Sequence, residues 1–406
     1  MAQISLSNSM APKRRIDFSD TETAFKNQSK SQLNLNYYIF MSMNQNGLVN
    51  IGTFFIKWFL KLGLPIKFII KKTIFQLFCG GEDIQDCEKT IDKLNRYKVG
   101  TILDYSVEGE DDEKSFDETK AELMKTIEMA HQNPDKIPFS VFKVTGIGSR
   151  DLLAEVQEDG VDCLSPEKRS SYQRLVKRFQ TLCKSASDKG VRLFIDAEET
   201  WIQDVIDELA LEEMKKYNTS AKTIIYNTYQ MYRTASYGIL ESHILAAKTE
   251  GFTVGAKLVR GAYMEKERKR AEEKGYADPI NPDKNATDTE YNKAVKLSIE
   301  NVEYISICLG THNEDSCNLA VGLLAENGID SHDSRVYFAQ LLGMSDNISF
   351  NLANAGYNVA KYVPYGPIEA VMPYLIRRAA ENSSIAGQSS REYLLIKKER
   401  ERRKSA

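Results

Sequence analysis

The sequence predicts an α/β fold, a (βα)8 barrel of the TIM type with helices before it and a C-terminal helix capping its mouth. Two observations carry this: short β-branched runs alternate with amphipathic stretches, and polar residues gather at the C-terminal ends of the runs. Eight such runs favour closure into a barrel over an open sheet.

Residues 1–45 are polar and read as an irregular segment, and 46–95 as a helical region. Within the latter, Ile51 to Phe78 is broken by lysines too often to span a bilayer. It reads as two core helices split at Gly63 and Pro65, or as a basic, aromatic face lying on anionic lipid. The barrel is expected over 96–385, its strands at Val99 to Tyr105, Phe139 to Thr145, Val191 to Asp196, Thr223 to Thr228, Val254 to Val259, Tyr304 to Leu309, Val336 to Leu341 and Asn358 to Val363. Amphipathic stretches such as Ser165 to Lys189 and Asp315 to Glu326 separate them. Met264 to Thr289 opens as a charged helix and reads as a surface excursion after the fifth strand. The tail, 386–406, contains a solvated run of charge from Lys397 to Lys404.

A net charge of −3 with interleaved acids and bases argues against a nucleic-acid partner. The six cysteines lack C-x-x-C spacing and read as reduced thiols. None of the four histidines has another metal ligand at i+3 or i+4, so no metal site is expected. The N-terminus has neither a secretory h-region nor an acid-free transit pattern. This reads as a cytoplasmic protein, with peripheral contact at the inner face of the membrane as an option and the mitochondrial matrix or inner membrane as the alternative.

In a barrel the C-terminal strand ends form one mouth, so residues scattered over the sequence converge there. They are Lys143, Asp196, Gln230, Lys257, Arg260 with Tyr263, Thr311 with His312, and Tyr362. After the last strand, Tyr374, Arg377, Arg378 and Glu381 share one strip of a helix at roughly 100° per residue. Two guanidiniums that close suit an anion between them. A solvated arginine pair is the bland alternative, as is a Lys143–Asp196 pair that merely satisfies itself. The cations on one rim nevertheless call for an anionic ligand. Small residues at Gly261 and Ala262 allow a planar ligand to approach backbone. GIGSR at 146–150 lacks the third glycine and following acid of a dinucleotide loop.

IDAEE, KLVRGAYMEKER, THN, QLLGMSD, YVPYG and PYLIRRAAEN, in this order and spacing, resemble proline dehydrogenase over about residues 70–385. The MEKER insertion is similar to that of the monofunctional, mitochondrial-type subgroup. The resemblance implies a distorted (βα)8 barrel with FAD at the mouth and hydride transfer from L-proline to flavin N5, giving Δ1-pyrroline-5-carboxylate, with a quinone as final acceptor. By position it implies Arg377, Arg378 and Lys143 on the proline carboxylate, with Asp196 orienting them and Lys257 near the isoalloxazine, these last two being the catalytic pair. Ala197, Gln230, Arg260, Gly261, Ala262, Thr311, His312 and Glu381 would serve the cofactor, while Tyr263, Leu341, Tyr362 and Tyr374 would wall the ring. Bacterial members often carry Arg-Leu-Val-Lys where this chain has Lys257-Leu-Val-Arg260, which leaves open which cation faces N5. Hydride transfer needs a neutral amine, an aligned C–H and a fixed ring face, so no nucleophilic pair is expected. Two alternatives are a hydroxyproline dehydrogenase of the same family and a non-catalytic barrel that binds an acidic metabolite.

Overall fold

The computed structural model describes residues 15–43, 67–107, 111–384 and 388–405, with side chains at all of these except 67, 69 and 379–390. Eight strands close a parallel barrel in sequence order: β1 (Val99–Tyr105), β2 (Phe139–Lys143), β3 (Arg192–Asp196), β4 (Ile225–Gln230), β5 (Val254–Val259), β6 (Ile305–Gly310), β7 (Val336–Leu341) and β8 (Val359–Tyr365). Closure comes from β8 beside β1, in register from Val99 opposite Val359 to Tyr105 opposite Tyr365. Parallel strands covered on both faces are continuous apolar runs, and β1 is buried at six consecutive positions.

Helices return the chain from each strand, and their ends follow capping chemistry. Ser165 accepts from the Lys168 N–H ahead of Pro166–Lys189, and Gly190 ends that helix at φ 68. The outer core lies between these helices and the strands. The inner core is aromatic: Phe139 and Phe194 stack with centroids 4.2 Å apart, and Tyr226 meets Phe194 edge-on at 5.4 Å. Arg192 lies over Tyr337 and donates to its hydroxyl at 3.3 Å. The interior is thus a packed aromatic floor with a polar layer above it.

Two expectations about the flanks need correction. The supposedly irregular 1–45 contains helices Thr21–Ala24 and Lys30–Met43; Leu33, Phe40 and Met43 are buried, and the second helix packs on the C-terminal helix. That C-terminal stretch is the helix Gln388–Ser405: Lys397, Lys398, Glu401 and Lys404 are exposed as expected, but Glu399 is fully buried and accepts from Arg402 and Arg403. The excursion after β5 is mostly exposed, as expected, with a deeply buried anchor. Its helix Met264–Lys274 buries Glu267, which accepts the Thr200 N–H at 2.7 Å and Oγ at 2.6 Å. Of the proposed lipid-facing stretch, residues 51–66 lie outside the described residues. No helix among the described residues is long and apolar enough to cross a membrane.

Candidate active site

The strand ends bring four predicted residues onto one carboxylate layer. Asp196, last in β3, accepts from Lys257 Nζ of β5, from Lys143 Nζ of β2 at 3.2 Å and from the Tyr362 hydroxyl of β8 at 3.2 Å. Lys257 Nζ also donates to the Tyr362 hydroxyl at 2.6 Å. The ammonium stands 4.6 Å from the Tyr362 ring centroid and 5.3 Å from that of Phe194, so the layer rests on the aromatic floor. Asp196 is 9% exposed and Lys257 5%, whereas the Lys143 side chain is 41% exposed and reaches the opening. Burial pushes the Asp196 carboxyl up, but Lys257 and Lys143 outweigh it and hold the pKa below the ordinary value.

Beside this layer, donors stand on the ends of three adjacent strands. Gln230 ends β4 and donates to the Glu198 carbonyl at 2.6 Å. Arg260 follows β5 and donates to Asp288 at 2.6 Å, Thr311 Oγ1 at 2.7 Å and Ser316 Oγ at 2.9 Å. Thr311 and His312 follow β6, and His312 Nδ1 lies 2.9 Å from Ser345 Oγ. Burial, then the charges of Lys361, Arg378 and Arg260, push the His312 pKa down to about 3, so the ring is neutral. Gly261 and Ala262 are exposed on this rim. Gly261 has φ 134, and a Cβ there would fall 2.4 Å from the Tyr232 ring. Tyr232 therefore already demands a glycine at this point, independently of any ligand. Ala197 is buried in the turn after β3.

Tyr263 is the N-cap of Met264–Lys274. Leu341 ends β7 and packs on both the inner aromatic core and the cluster beneath the helix Ile368–Ser384. That helix carries Tyr374, Arg377 and Arg378; Arg378 lies 5.4 Å from the Tyr374 ring centroid, and its charge reaches His312. The Glu381 side chain lies outside the described residues.

The expected surplus of cations is smaller in space than in sequence. Lys143 and Lys257 share Asp196, and Arg260 is met by Asp288, a residue inside the supposed surface excursion. The ordering Lys257-Leu-Val-Arg260 has a spatial meaning: Lys257 points into the barrel, and Arg260 points outward over Tyr291, 4.3 Å from its ring centroid. Sequence reasoning missed Glu198, which accepts from the Thr145 N–H at 2.9 Å and from its hydroxyl. It also missed Lys361, fully buried and 2.9 Å from Asp346. The first E of IDAEE and the K of AKYVPYG were the available signals, since buried charges need partners.

Residues 87–391 match the family described as proline dehydrogenase. The chain belongs to the proline dehydrogenase family. It is 33% identical to "Proline dehydrogenase 1, mitochondrial" of Dictyostelium discoideum over 95% of its own length and 74% of that protein. It is 45% identical to the Homo sapiens protein of the same name over 57% of its own length and 39% of that protein, so it spans well under half of the human relative. Among solved structures, proline utilization A from Bdellovibrio bacteriovorus inactivated by N-propargylglycine superposes with a TM-score of 0.70 over 91% of this chain and 38% of that one. At 19% identity this likeness speaks for the fold alone. Family membership makes the protein an oxidoreductase.

Proposed function

We propose that this chain oxidises L-proline to Δ1-pyrroline-5-carboxylate with FAD as cofactor, the first step of proline catabolism. The observation that carries the reading is the convergence of Lys143, Lys257 and Tyr362 on Asp196 at the mouth of a proline dehydrogenase-family barrel.

The residues fit the cofactor by their chemistry. An amide, a guanidinium, a hydroxyl and a neutral imidazole stand in a row at Gln230, Arg260, Thr311 and His312, with exposed backbone at Gly261 and Ala262. Such a row suits an elongated ligand bearing phosphates and ring heteroatoms. Ala197 and Glu381 complete the proposed set. When bound, FAD supplies the hydride acceptor.

The chain's own part is alignment. Arg377 and Arg378 anchor the substrate carboxylate with charge-assisted bonds, helped by Lys143 at the opening. Asp196 keeps both lysine heads fixed, and the Lys257 ammonium is held between Asp196 and the Tyr362 hydroxyl. Tyr263, Leu341, Tyr362 and Tyr374 hold the ring and exclude water, Leu341 bridging the floor and the arginine helix. A quinone acceptor, peripheral membrane contact and a mitochondrial location follow by family analogy, the last supported by the relatives' names.

The test is an anaerobic absorbance spectrum of purified protein before and after L-proline. Bleaching of the flavin bands is expected. Bound flavin that bleaches only with hydroxyproline would move the substrate assignment to that amine. Protein that stays colourless after FAD is added would favour a binding module. In addition, Arg378→Ala is expected to raise KM for proline roughly ten- to a hundredfold, as for loss of a charge-assisted bond, with FAD retained. A near-normal KM would sink the carboxylate clamp.

A further inference from the structure

A buried polar chain runs from the C-terminal helix Gln388–Ser405 into the barrel mouth. Its middle member, Ser345, lies between β7 and the helix Asp346–Asn354 at φ 51, a left-handed conformation that a residue with a Cβ disfavours. Such positions persist where surrounding groups over-determine them. Here two groups do. The Ser345 N–H donates to Glu392 Oε1 at 2.6 Å, and its Oγ shares a hydrogen bond of 2.9 Å with His312 Nδ1. Glu392 is 5% exposed and Ser345 3%. Beneath them Lys361 pairs with Asp346 at 2.9 Å and donates to the Met344 carbonyl at 2.5 Å, while Arg391 pairs with Glu314. The loop that faces His312 is therefore gripped from both sides, once by the barrel and once by a helix following it in sequence.

We infer that Glu392 is a positioning residue for the cofactor site: it fixes the Ser345 loop, whose hydroxyl orients His312, so the C-terminal helix is a working part of the mouth. This rests on the reading of His312 as a cofactor contact. The groups facing Glu392 are Asp346 and Lys361 from the barrel and Arg391 on its own helix. Burial, then the Asp346 charge, hold its carboxyl up at about 7. The folded pKa is thus raised above the unfolded one. Docking is favoured while Glu392 keeps its proton and weakens as pH rises through neutrality.

The test is the FAD dissociation constant, read by flavin fluorescence on purified protein freed of cofactor, at pH 6 and pH 8. The wild-type constant is expected to rise severalfold between the two. Glu392→Gln keeps an acceptor for the Ser345 N–H and lacks the titrating proton, so its constant should not change with pH. Ser345→Gly relieves the backbone but removes the hydroxyl, and should weaken FAD roughly fivefold at both values, as for one neutral hydrogen bond. Glu399→Gln changes a buried carboxylate of the same helix at Arg402 and Arg403, away from Ser345, and should leave the constant unchanged because Glu392 still holds the Ser345 N–H. Wild-type constants for both Glu392→Gln and Ser345→Gly would overturn this inference alone. A wild-type chain that binds no FAD would overturn the proposed function with it.

Discussion

Asp196 is one carboxylate with three donors, so replacing it disturbs three strands at once. In Asp196→Asn, Lys257 stays buried without its counter-charge, a change that costs about 3–5 kcal/mol when one partner of a buried pair is removed. Denaturant unfolding should show that loss, together with collapse of proline turnover. Tyr362→Phe removes only a hydroxyl and keeps the ring stacked 6.4 Å from Phe194, so about 1 kcal/mol and a five- to tenfold fall in kcat/KM are expected. Equal losses in the two variants would mean that the hydroxyl organises the layer. Because the folded pKa of Asp196 is depressed, its stabilisation is present above the unfolded value and is lost as pH falls through the folded one, below 3.8. These residues were legible because a charge at the end of an apolar strand stands out. Asp288 and Glu392 were not: each sits in a charged helix where nothing local separates a partnered carboxylate from a solvated one.

At the scale of elements, β1, β5 and β7 match their predicted boundaries residue for residue, since an apolar run bounded by polar residues has one reading. The helix Lys30–Met43 escaped notice because its apolar stripe is thin. Leu33, Phe40 and Met43 gain burial only from neighbouring elements such as the C-terminal helix, a partner local pattern does not display. Two glycines separate strand from helix constraints. A Cβ at Gly255 in β5 would lie 2.2 Å from the Ile225 carbonyl oxygen, a backbone atom of the neighbouring strand. At Gly322, in the helix Glu314–Glu326, a Cβ would meet nothing within 4 Å. Gly255→Ala should leave little soluble protein, because a closed barrel has no edge at which to relax. Gly322→Ala should stabilise by about 0.5–1 kcal/mol in thermal melts. A tolerated Gly255→Ala would show that β4 and β5 can separate without opening the barrel.

For the whole molecule, closure gathers polar groups from distant strands at one end, and the buried acids there make stability depend on pH in a direction opposite to Asp196. Asp207 is 8% exposed and accepts from Asn227 at 2.6 Å and Gln203 at 2.8 Å; Gln203 in turn accepts the Glu198 N–H at 2.7 Å. Burial outweighs these bonds and Arg233, raising its pKa from 3.8 to about 6. The folded state therefore holds a proton that the unfolded chain has released, and stability falls as pH rises through that window, by about 3 kcal/mol in all. Glu392, near 7, extends the fall toward neutrality. Wild-type protein should thus be more resistant to denaturant at pH 5 than at pH 8, while losing stability again below pH 4 as Asp196 is protonated. Asp207→Asn keeps an oxygen for Asn227 and Gln203 and removes the titration, so it should flatten the upper part of the curve. A wild-type curve that rises from pH 5 to pH 8 would show that Arg233 and the amides already hold Asp207 ionised, and that the polar shell behind Glu198 is charged throughout.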